Sequence, residues 1–278
     1  PFTVTISVNP SPAINNLTRA ICSGGSFNVS PVDGVDGIAP SDITYSWAAP
    51  LTSGGITGGT AATNAASISG TLTNTTSSVQ TATYTVTPKS GSCTGSTFTV
   101  IVTVNPMPAV TSMSTTICSG GTFTLTPADV TNGLVPANTT YTWAAPSVTG
   151  GITGGAGGTG QLAISGTLVN PTNAPQVAVY TVTPTSPDGP CTGASFTVNV
   201  SVSPTPSVTP MSAAICSGGN FSLTPVNGTD GIVPTPTTYT WSAPVISASI
   251  TGGAAGAGGS ITGTLTNTSN VVQTATNS

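Results

Sequence analysis

The sequence has no histidine, and only 3% of its 278 residues are charged, against about 25% in ordinary soluble domains. Glutamate is also absent, and Arg19 and Lys89 are the only cations. Without histidine or a repeated lysine, the chain lacks a base for a serine or cysteine nucleophile, and no facing carboxylates suggest glycoside hydrolysis. It also lacks the basic surface that nucleic acid requires. We therefore expect no enzymatic activity, no cofactor and no nucleic-acid partner.

Long apolar runs are missing as well, so no membrane span is predicted. Threonine, serine, glycine, alanine, valine, asparagine and proline fill the chain, of which 37% is hydrophobic. Apolar residues recur with a period of two, whereas glycine and proline interrupt every window long enough for a helix. The sequence therefore predicts an all-β fold.

One stretch occurs three times, at residues 21–47, 117–143 and 215–241. Each copy begins with ICSGG and ends with Tyr-x-Trp, and successive copies are 96 and 98 residues apart. A period near 97 is too long for a solenoid repeat and fits a small independent domain. The chain is therefore predicted to be a tandem array of one domain.

Pro-x-Pro elements at residues 10–12, 106–108 and 204–206 mark the predicted boundaries. We assign residues 1–10 to the closing strand of a preceding repeat, 11–106 to repeat 1, 107–204 to repeat 2, and 205–278 to repeat 3, truncated before its last two strands. Proline fixes φ and favours extended backbone before it, so these links are semi-rigid. We expect the domains to form a rod.

About seven short alternating strands per repeat, with a tryptophan on the third, predict an immunoglobulin-like β-sandwich. Gly166 lies on the core face of its strand, which suggests a bulky neighbour such as Trp143. Nine aromatic residues are predicted to lie in the cores: Phe27, Phe123, Phe221, Tyr45, Tyr141, Tyr239, Trp47, Trp143 and Trp241. The tryptophans have a second interpretation, as platforms on which sugars stack.

Five cysteines indicate an oxidising compartment outside the cytoplasm. If disulfides stay within a domain, Cys22 pairs with Cys93 and Cys118 pairs with Cys191, while truncation leaves Cys216 unpaired. Each bond would then stabilise the folded state by roughly 4 kcal/mol. Buried free thiols are one alternative. Metal binding is another, although the chain has no histidine and no CxxC motif.

A loop in each repeat carries aspartate or asparagine at two fixed positions before glycine. The residues are Asp33, Asp36, Asp129, Asn132, Asn227 and Asp230. One interpretation is a weak calcium site built from side-chain and backbone oxygens. The simpler one is turn chemistry, because both residue types bond to nearby backbone and tolerate unusual φ.

The low charge leaves few residues to deter edge-to-edge strand pairing. We therefore expect neighbouring copies of the repeat to be partners, through lateral packing or end-to-end assembly into fibres. Strand exchange between subunits, with residues 1–10 as the donated strand, is an alternative to simple truncation of a continuous array. Glycans are further candidate partners.

Variants of the segments ICSGGTFTLTP (117–127), TTYTWAAP (139–146) and ITGG (152–155) recur in the same order in all three copies, followed in the first two by TATYTVTP (81–88) and CTGxxFTVxVxVxP (191–204); the third stops at QTATNS, where TATYTVTP should continue. They resemble the PKD-like repeats of very long bacterial surface proteins exported by the type IX secretion system. This resemblance implies an extracellular, cell-surface adhesin or filament of immunoglobulin-like domains, with no catalytic residues to carry over.

Three functions remain open at this point. The first is a structural stalk or filament, which repetition of the core residues favours. The second is a binding module whose loops hold glycan or another surface. The third is a spacer in a secreted hydrolase whose catalytic part lies elsewhere.

Overall fold

The computed structural model describes residues 1–277, and all of its helix or strand elements are β-strands. None of the described residues forms a helix with the length and hydropathy needed to cross a membrane. The prediction of an all-β fold of tandem immunoglobulin-like domains is confirmed. Alternating Thr and Val residues explain this outcome, because β-branched side chains fit a pleated surface better than a helix.

Repeat 1 contains twelve strands: β1 (Ala13–Ile14), β2 (Leu17–Cys22), β3 (Ser26–Val29), β4 (Gly37–Ile38), β5 (Ile43–Trp47), β6 (Leu51–Thr52), β7 (Ile56–Gly58), β8 (Ala62–Ala65), β9 (Ile68–Asn74), β10 (Gln80–Ser90), β11 (Cys93–Thr94) and β12 (Phe98–Asn105). Repeat 2 contains β13 (Ala109–Val110), β14 (Met113–Cys118), β15 (Thr122–Leu125), β16 (Gly133–Leu134), β17 (Thr140–Trp143), β18 (Ser147–Val148), β19 (Thr153–Gly154), β20 (Gly158–Gln161), β21 (Ile164–Val169), β22 (Gln176–Thr185) and β23 (Phe196–Ser203).

Repeat 3 has fewer strands among its described residues: β24 (Ser207–Val208), β25 (Asn220–Leu223), β26 (Gly231–Ile232), β27 (Tyr239–Trp241), β28 (Val245–Ile246), β29 (Ile250–Gly252), β30 (Gly256–Gly258), β31 (Ile261–Asn267) and β32 (Ala275–Thr276). Residues 211–216, which correspond to β14, form no strand there. The reason is that β14 pairs with β23, and no described residue of repeat 3 corresponds to β23.

Two sheets face each other in each of repeats 1 and 2. The larger sheet of repeat 1 has the order β2-β12-β10-β5-β8, and the smaller has β3-β9-β7. Repeat 2 reproduces both, as β14-β23-β22-β17-β20 and β15-β21-β19. The pairs β2/β12 and β14/β23 are parallel, whereas the other pairs are antiparallel. The parallel pair places the end of β2 beside the end of β12, which determines where Cys22 lies.

Alternation along the strands builds the core. Ala82, Tyr84 and Val86 of β10 are fully buried, and so are their counterparts Ala178, Tyr180 and Val182 of β22. Phe, Val and Thr alternate in the same way along β12 and β23, so each closing strand contributes four buried apolar side chains: Phe98, Val100, Val102 and Val104 in repeat 1, and Phe196, Val198, Val200 and Val202 in repeat 2.

The predicted core aromatics of repeats 1 and 2 are buried, whereas Phe221, Tyr239 and Trp241 of repeat 3 are half-buried. Each indole N–H donates to a backbone carbonyl thirteen residues later, at 3.0 Å for Trp47 and 3.2 Å for Trp143 and Trp241. The buried, hydrogen-bonded indoles of Trp47 and Trp143 are therefore packing residues and do not offer an open face to sugars.

Glycines lie against these aromatic rings, but the glycine that contacts Trp143 is not the one predicted from the sequence. A Cβ at Gly166 would lie 3.0 Å from the Tyr180 hydroxyl and 3.1 Å from the Phe123 ring. The residue beneath Trp143 is instead Gly158, where a Cβ would lie 2.5 Å from the indole. The predicted Gly166–Trp143 pairing is therefore corrected. Gly166 pairs with Phe123 of β15 in the smaller sheet, so the Phe123 ring and the Tyr180 hydroxyl occupy its core face, while Trp143 pairs with Gly158 of β20.

Burial raises the pKa of Tyr141 to about 12 and also raises the pKa of Tyr84 and Tyr180. The cause is desolvation, since an ionised phenol loses its hydration in an apolar core. These tyrosines therefore stay protonated at neutral pH.

Residues 1–10 do not form the predicted strand: they have no strand partner among the described residues, and all ten are exposed. Their sequence alternates as in β12, and Phe2, Val4, Ile6 and Val8 are between 67% and 90% exposed. A strand requires backbone partners, so the correct pattern alone does not produce one.

An asparagine that sequence reasoning overlooked closes a turn in each repeat. The Asn170 amide donates to Ala174 O at 2.8 Å and to Val202 O at 2.9 Å. Its Oδ1 accepts from the backbone and the hydroxyl of Thr172. Asn74 and Asn267 make the same turn, and Asn74 also bonds to Val104 O. In repeats 1 and 2 this buried amide therefore ties the turn to the closing strand.

Replacing Asn170 by alanine is expected to lower the unfolding free energy of repeat 2 by about 2–4 kcal/mol, because several buried backbone groups lose their partner. Urea denaturation of the full chain measures the effect. Asn199→Ala, on the exposed face of β23, serves as the control and should change stability by less than about 0.5 kcal/mol. Equal effects for the two variants would contradict the assigned role.

Candidate functional site: the junction between repeats 1 and 2

A disulfide joins Cys22 of repeat 1 to Cys191 of repeat 2, with the two Cα atoms 5.6 Å apart. Cys22 is the last residue of β2, and Cys191 lies in the turn between β22 and β23. The bond therefore connects the end of repeat 1 at which β2 and β12 finish to the end of repeat 2 at which β23 begins. It closes a loop of 169 positions, for which the chain-entropy relation gives about 5 kcal/mol.

The predicted pairings Cys22–Cys93 and Cys118–Cys191 are wrong. In the parallel register Cys22 lies beside Asn105, at the end of β12, whereas Cys93 precedes the start of that strand at Phe98. At about 3.3 Å per residue, the length of β12 alone separates these two ends by roughly 20 Å, and a disulfide requires Cα atoms within about 7 Å. The same topology separates Cys118 from Cys191. Cys93, Cys118 and Cys216 are free, so the repeats are not individually locked by a bond.

The backbone at the junction is shaped for close approach. Gly189, two residues before Cys191, has a φ of 67°. A Cβ there would lie 2.1 Å from the Asn105 amide nitrogen. The positive φ favours glycine here, and a larger residue would also force the Asn105 side chain to move. The end of β12 and the Cys191 turn are therefore in direct contact.

A second contact lies across the same junction. Ser77, in the turn after β9 of repeat 1, lies beside Asp129 of repeat 2, and its hydroxyl together with the backbone N–H of Val135 lowers the pKa of the Asp129 carboxyl. The surrounding cleft is lined by Ser77 and Ser78 from repeat 1 and mainly by residues 126–141 from repeat 2. It is open to solvent, has a mixed polar and apolar lining, and belongs to the interface between the two repeats.

The six candidate calcium residues serve as turn residues. In repeat 1, Asp36 accepts from Val32 N–H and Asp33 accepts from Ala39 N–H, both at 2.8 Å. The equivalent bonds in repeats 2 and 3 are 2.7–3.0 Å long and involve Asn132, Asp129, Asp230 and Asn227. Each side chain therefore has a backbone partner, and no cluster of three or more His, Cys, Asp or Glu residues that could hold a metal ion is found within residues 1–277.

Repeat 3 has an open face where repeats 1 and 2 carry their closing strands. The groove encloses about 730 Å³ and is lined by apolar residues that include Ile215, Phe221, Leu223, Ile261 and Leu265. In repeat 2 the counterparts of Phe221 and Leu265, Phe123 and Leu168, are buried in the core. The groove therefore exposes apolar side chains whose counterparts are buried in the core of repeat 2.

The cysteine count indicated that disulfides form, but it did not indicate which cysteines pair. The sequence feature that bears on the pairing is the position of Cys22, Cys118 and Cys216, each ten residues beyond a Pro-x-Pro link, where the first long strand of repeats 1 and 2 ends. Such a cysteine belongs to the end of its domain. The parallel pairing with the closing strand is what turns that end toward the next repeat.

Comparison with known proteins gives a family for two of the repeats. The model of the PKD-like domain matches residues 19–108 and 114–206. No curated protein sequence matches the chain.

Among solved structures, immunoglobulin domains 1–4 of Sidekick-1 share 11% identity at a TM-score of 0.28, over 89% of this chain and 56% of that one. The insect immune protein hemolin shares 11% at 0.30, over 84% and 62%. The endo-fucoidan hydrolase MfFcnA4 of glycoside hydrolase family 107 shares 12% at 0.27, over 72% and 30%. The chain thus spans from under a third to under two thirds of these proteins. The two matches to the family model together cover more than half of this chain, and the chain therefore belongs to the PKD-like domain family.

Proposed function

We propose that this chain is a non-enzymatic stalk or filament region of an extracellular bacterial surface adhesin or fibre, exported through the type IX secretion system. The observation that carries the proposal is the disulfide between successive repeats. A bond at a domain junction adds nothing to a catalytic or binding site, but it fixes one domain to the next. It also requires an oxidising compartment, which supports a location outside the cytoplasm.

The bond changes how the chain bears tension. Force applied to the two ends reaches Cys22, crosses the disulfide and continues from Cys191. The 169-position segment between them is bypassed, so that most of repeats 1 and 2 lies outside the load path. A stalk built in this way resists extension even when a sandwich loosens.

Single-molecule stretching of the full chain tests this function. The reduced chain is expected to lengthen by roughly 560–610 Å more than the oxidised chain, because 169 positions at about 3.3–3.6 Å each are released. Cys191→Ser should show the long extension under both conditions, and Cys216→Ser, at a free cysteine, should behave like the parent. Equal extension of the oxidised and reduced parent would contradict the load-bearing proposal.

We further propose that copies of the chain associate end to end, with residues 1–10 of one copy covering the open face of repeat 3 in another. Residues 1–10 match the closing strands β12 and β23 in their alternation of apolar residues with Thr and Ser. Their apolar side chains are exposed, and the groove of repeat 3 is the site that β23 fills in repeat 2. Donation of a strand to a sheet edge supplies backbone hydrogen bonds as well as apolar contact.

Sedimentation of the full chain over a range of concentrations distinguishes this arrangement. The parent is expected to form oligomers as concentration rises, whereas a Val4→Asp, Ile6→Asp variant should remain monomeric, because charge on the core-facing side prevents burial. Thr3→Asp with Thr5→Asp, on the opposite face, is the matched control and should still associate. A parent that stays monomeric, or two variants that behave alike, would overturn end-to-end assembly; lateral packing stays a separate prediction.

A further inference from the structure

The cysteines fall into two sets by position. The early cysteines are Cys22 and Cys118, which end β2 and β14, and Cys216, which has the same place in the motif ICSGG. The late cysteines are Cys93 and Cys191, which lie between the last two long strands of their repeats. The observed bond thus pairs the early cysteine of one repeat with the late cysteine of the next.

Cys118 has the position of Cys22. In the parallel pairs Cys22 lies beside Asn105 and Cys118 lies beside Ser203, each at the last residue of a closing strand. Cys22 is half-buried by its bond, whereas Cys118 is exposed and free. The same end of repeat 2 faces repeat 3, since the Thr205 hydroxyl donates to Ser119 O.

Cys93 has the position of Cys191, and its surroundings repeat those of the observed bond. Its sulfur lies 4.0 Å from Asn9 O. Asn9 is the counterpart of Asn105, beside which Cys22 lies in the parallel register. A first strand paired with residues 1–9 in that register would place its own early cysteine beside Cys93.

We propose that Cys93, Cys118 and Cys216 are each one half of a disulfide to an adjoining PKD-like repeat, so that the array is joined at every junction. Cys93 takes the early cysteine of a repeat placed before repeat 1. Cys118 takes a late cysteine of repeat 3, and Cys216 takes a late cysteine of the repeat after it. This pairing rests on the proposed stalk of tandem repeats. Its test measures the state of Cys118, so a negative result would refute the pairing without refuting the load path through the Cys22–Cys191 bond.

The reaction is an ordinary two-electron oxidation. The thiolate of Cys118 attacks a low-molecular-weight disulfide such as oxidised glutathione, forming a mixed disulfide and releasing one thiol. The thiolate of the partner cysteine then attacks the Cys118 sulfur and releases the second thiol. One S–S bond forms, two thiol protons are lost, and the glutathione disulfide accepts the two electrons.

The test supplies repeat 3 with a late cysteine. Residues 180–206 are placed after Thr276 of the full chain, so that the repeat 2 sequence completes repeat 3. After oxidation with a glutathione couple and alkylation, peptic mapping by mass spectrometry is expected to find the supplied cysteine bonded to Cys118, with Cys93 and Cys216 alkylated. A bond to Cys216, or alkylation of both Cys118 and the supplied cysteine, would overturn the proposal.

Two controls accompany this experiment. Serine in place of the supplied cysteine should leave Cys118 alkylated, and the Cys22–Cys191 bond should persist in every variant. Should the lengthened repeat fail to fold, Cys93 provides a second measurement in the unmodified chain. A peptide of residues 113–121, activated at its cysteine as a mixed disulfide, should react with Cys93 at least tenfold faster than a scrambled peptide does. Equal rates would also overturn the proposal.

Discussion

The covalent bond between Cys22 and Cys191 is the constraint on which the arrangement of repeats 1 and 2 depends. Each sandwich has its own buried core of Val, Phe, Tyr and Trp residues, so its fold does not need the bond. What the bond fixes is the junction, where a proline link alone would only restrict φ. Two further features belong to the same interface: the close approach of Gly189 to Asn105 and the contact between Ser77 and Asp129. Both form only when the end of repeat 1 lies against repeat 2.

The parallel pairing of the first long strand with the closing strand makes this junction available. It brings the early cysteine of a repeat to the end from which the chain leaves. The turn before the next closing strand lies at the opposite end of its own sandwich, and head-to-tail succession brings it to that cysteine. The bond is therefore a consequence of sheet topology combined with tandem repetition, and neither one alone would produce it.

Much of the fold was predictable because it is encoded locally. Alternation identified Tyr84, Val86 and their counterparts as core residues, and the Pro-x-Pro links were visible in the sequence. The cysteine pairing was not predictable, because two cysteines in each repeat are equally compatible with a bond within a repeat and a bond between repeats. Only the distance between the ends of β12 decides between them. Residues 1–10 likewise carry a strand pattern without a partner, and Trp143 packs on Gly158 of β20 through a strand pairing that periodicity does not reveal.

The central claim is that the disulfide lies between repeats and not within one. Non-reducing peptic mapping of the oxidised chain, after free thiols are alkylated, tests it most directly. For the oxidised chain kept dilute enough to stay monomeric, the account predicts a single bonded pair of peptides that contains Cys22 and Cys191, with alkylated Cys93, Cys118 and Cys216. Recovery of Cys118 bonded to Cys191, with Cys22 bonded to Cys93, would contradict it.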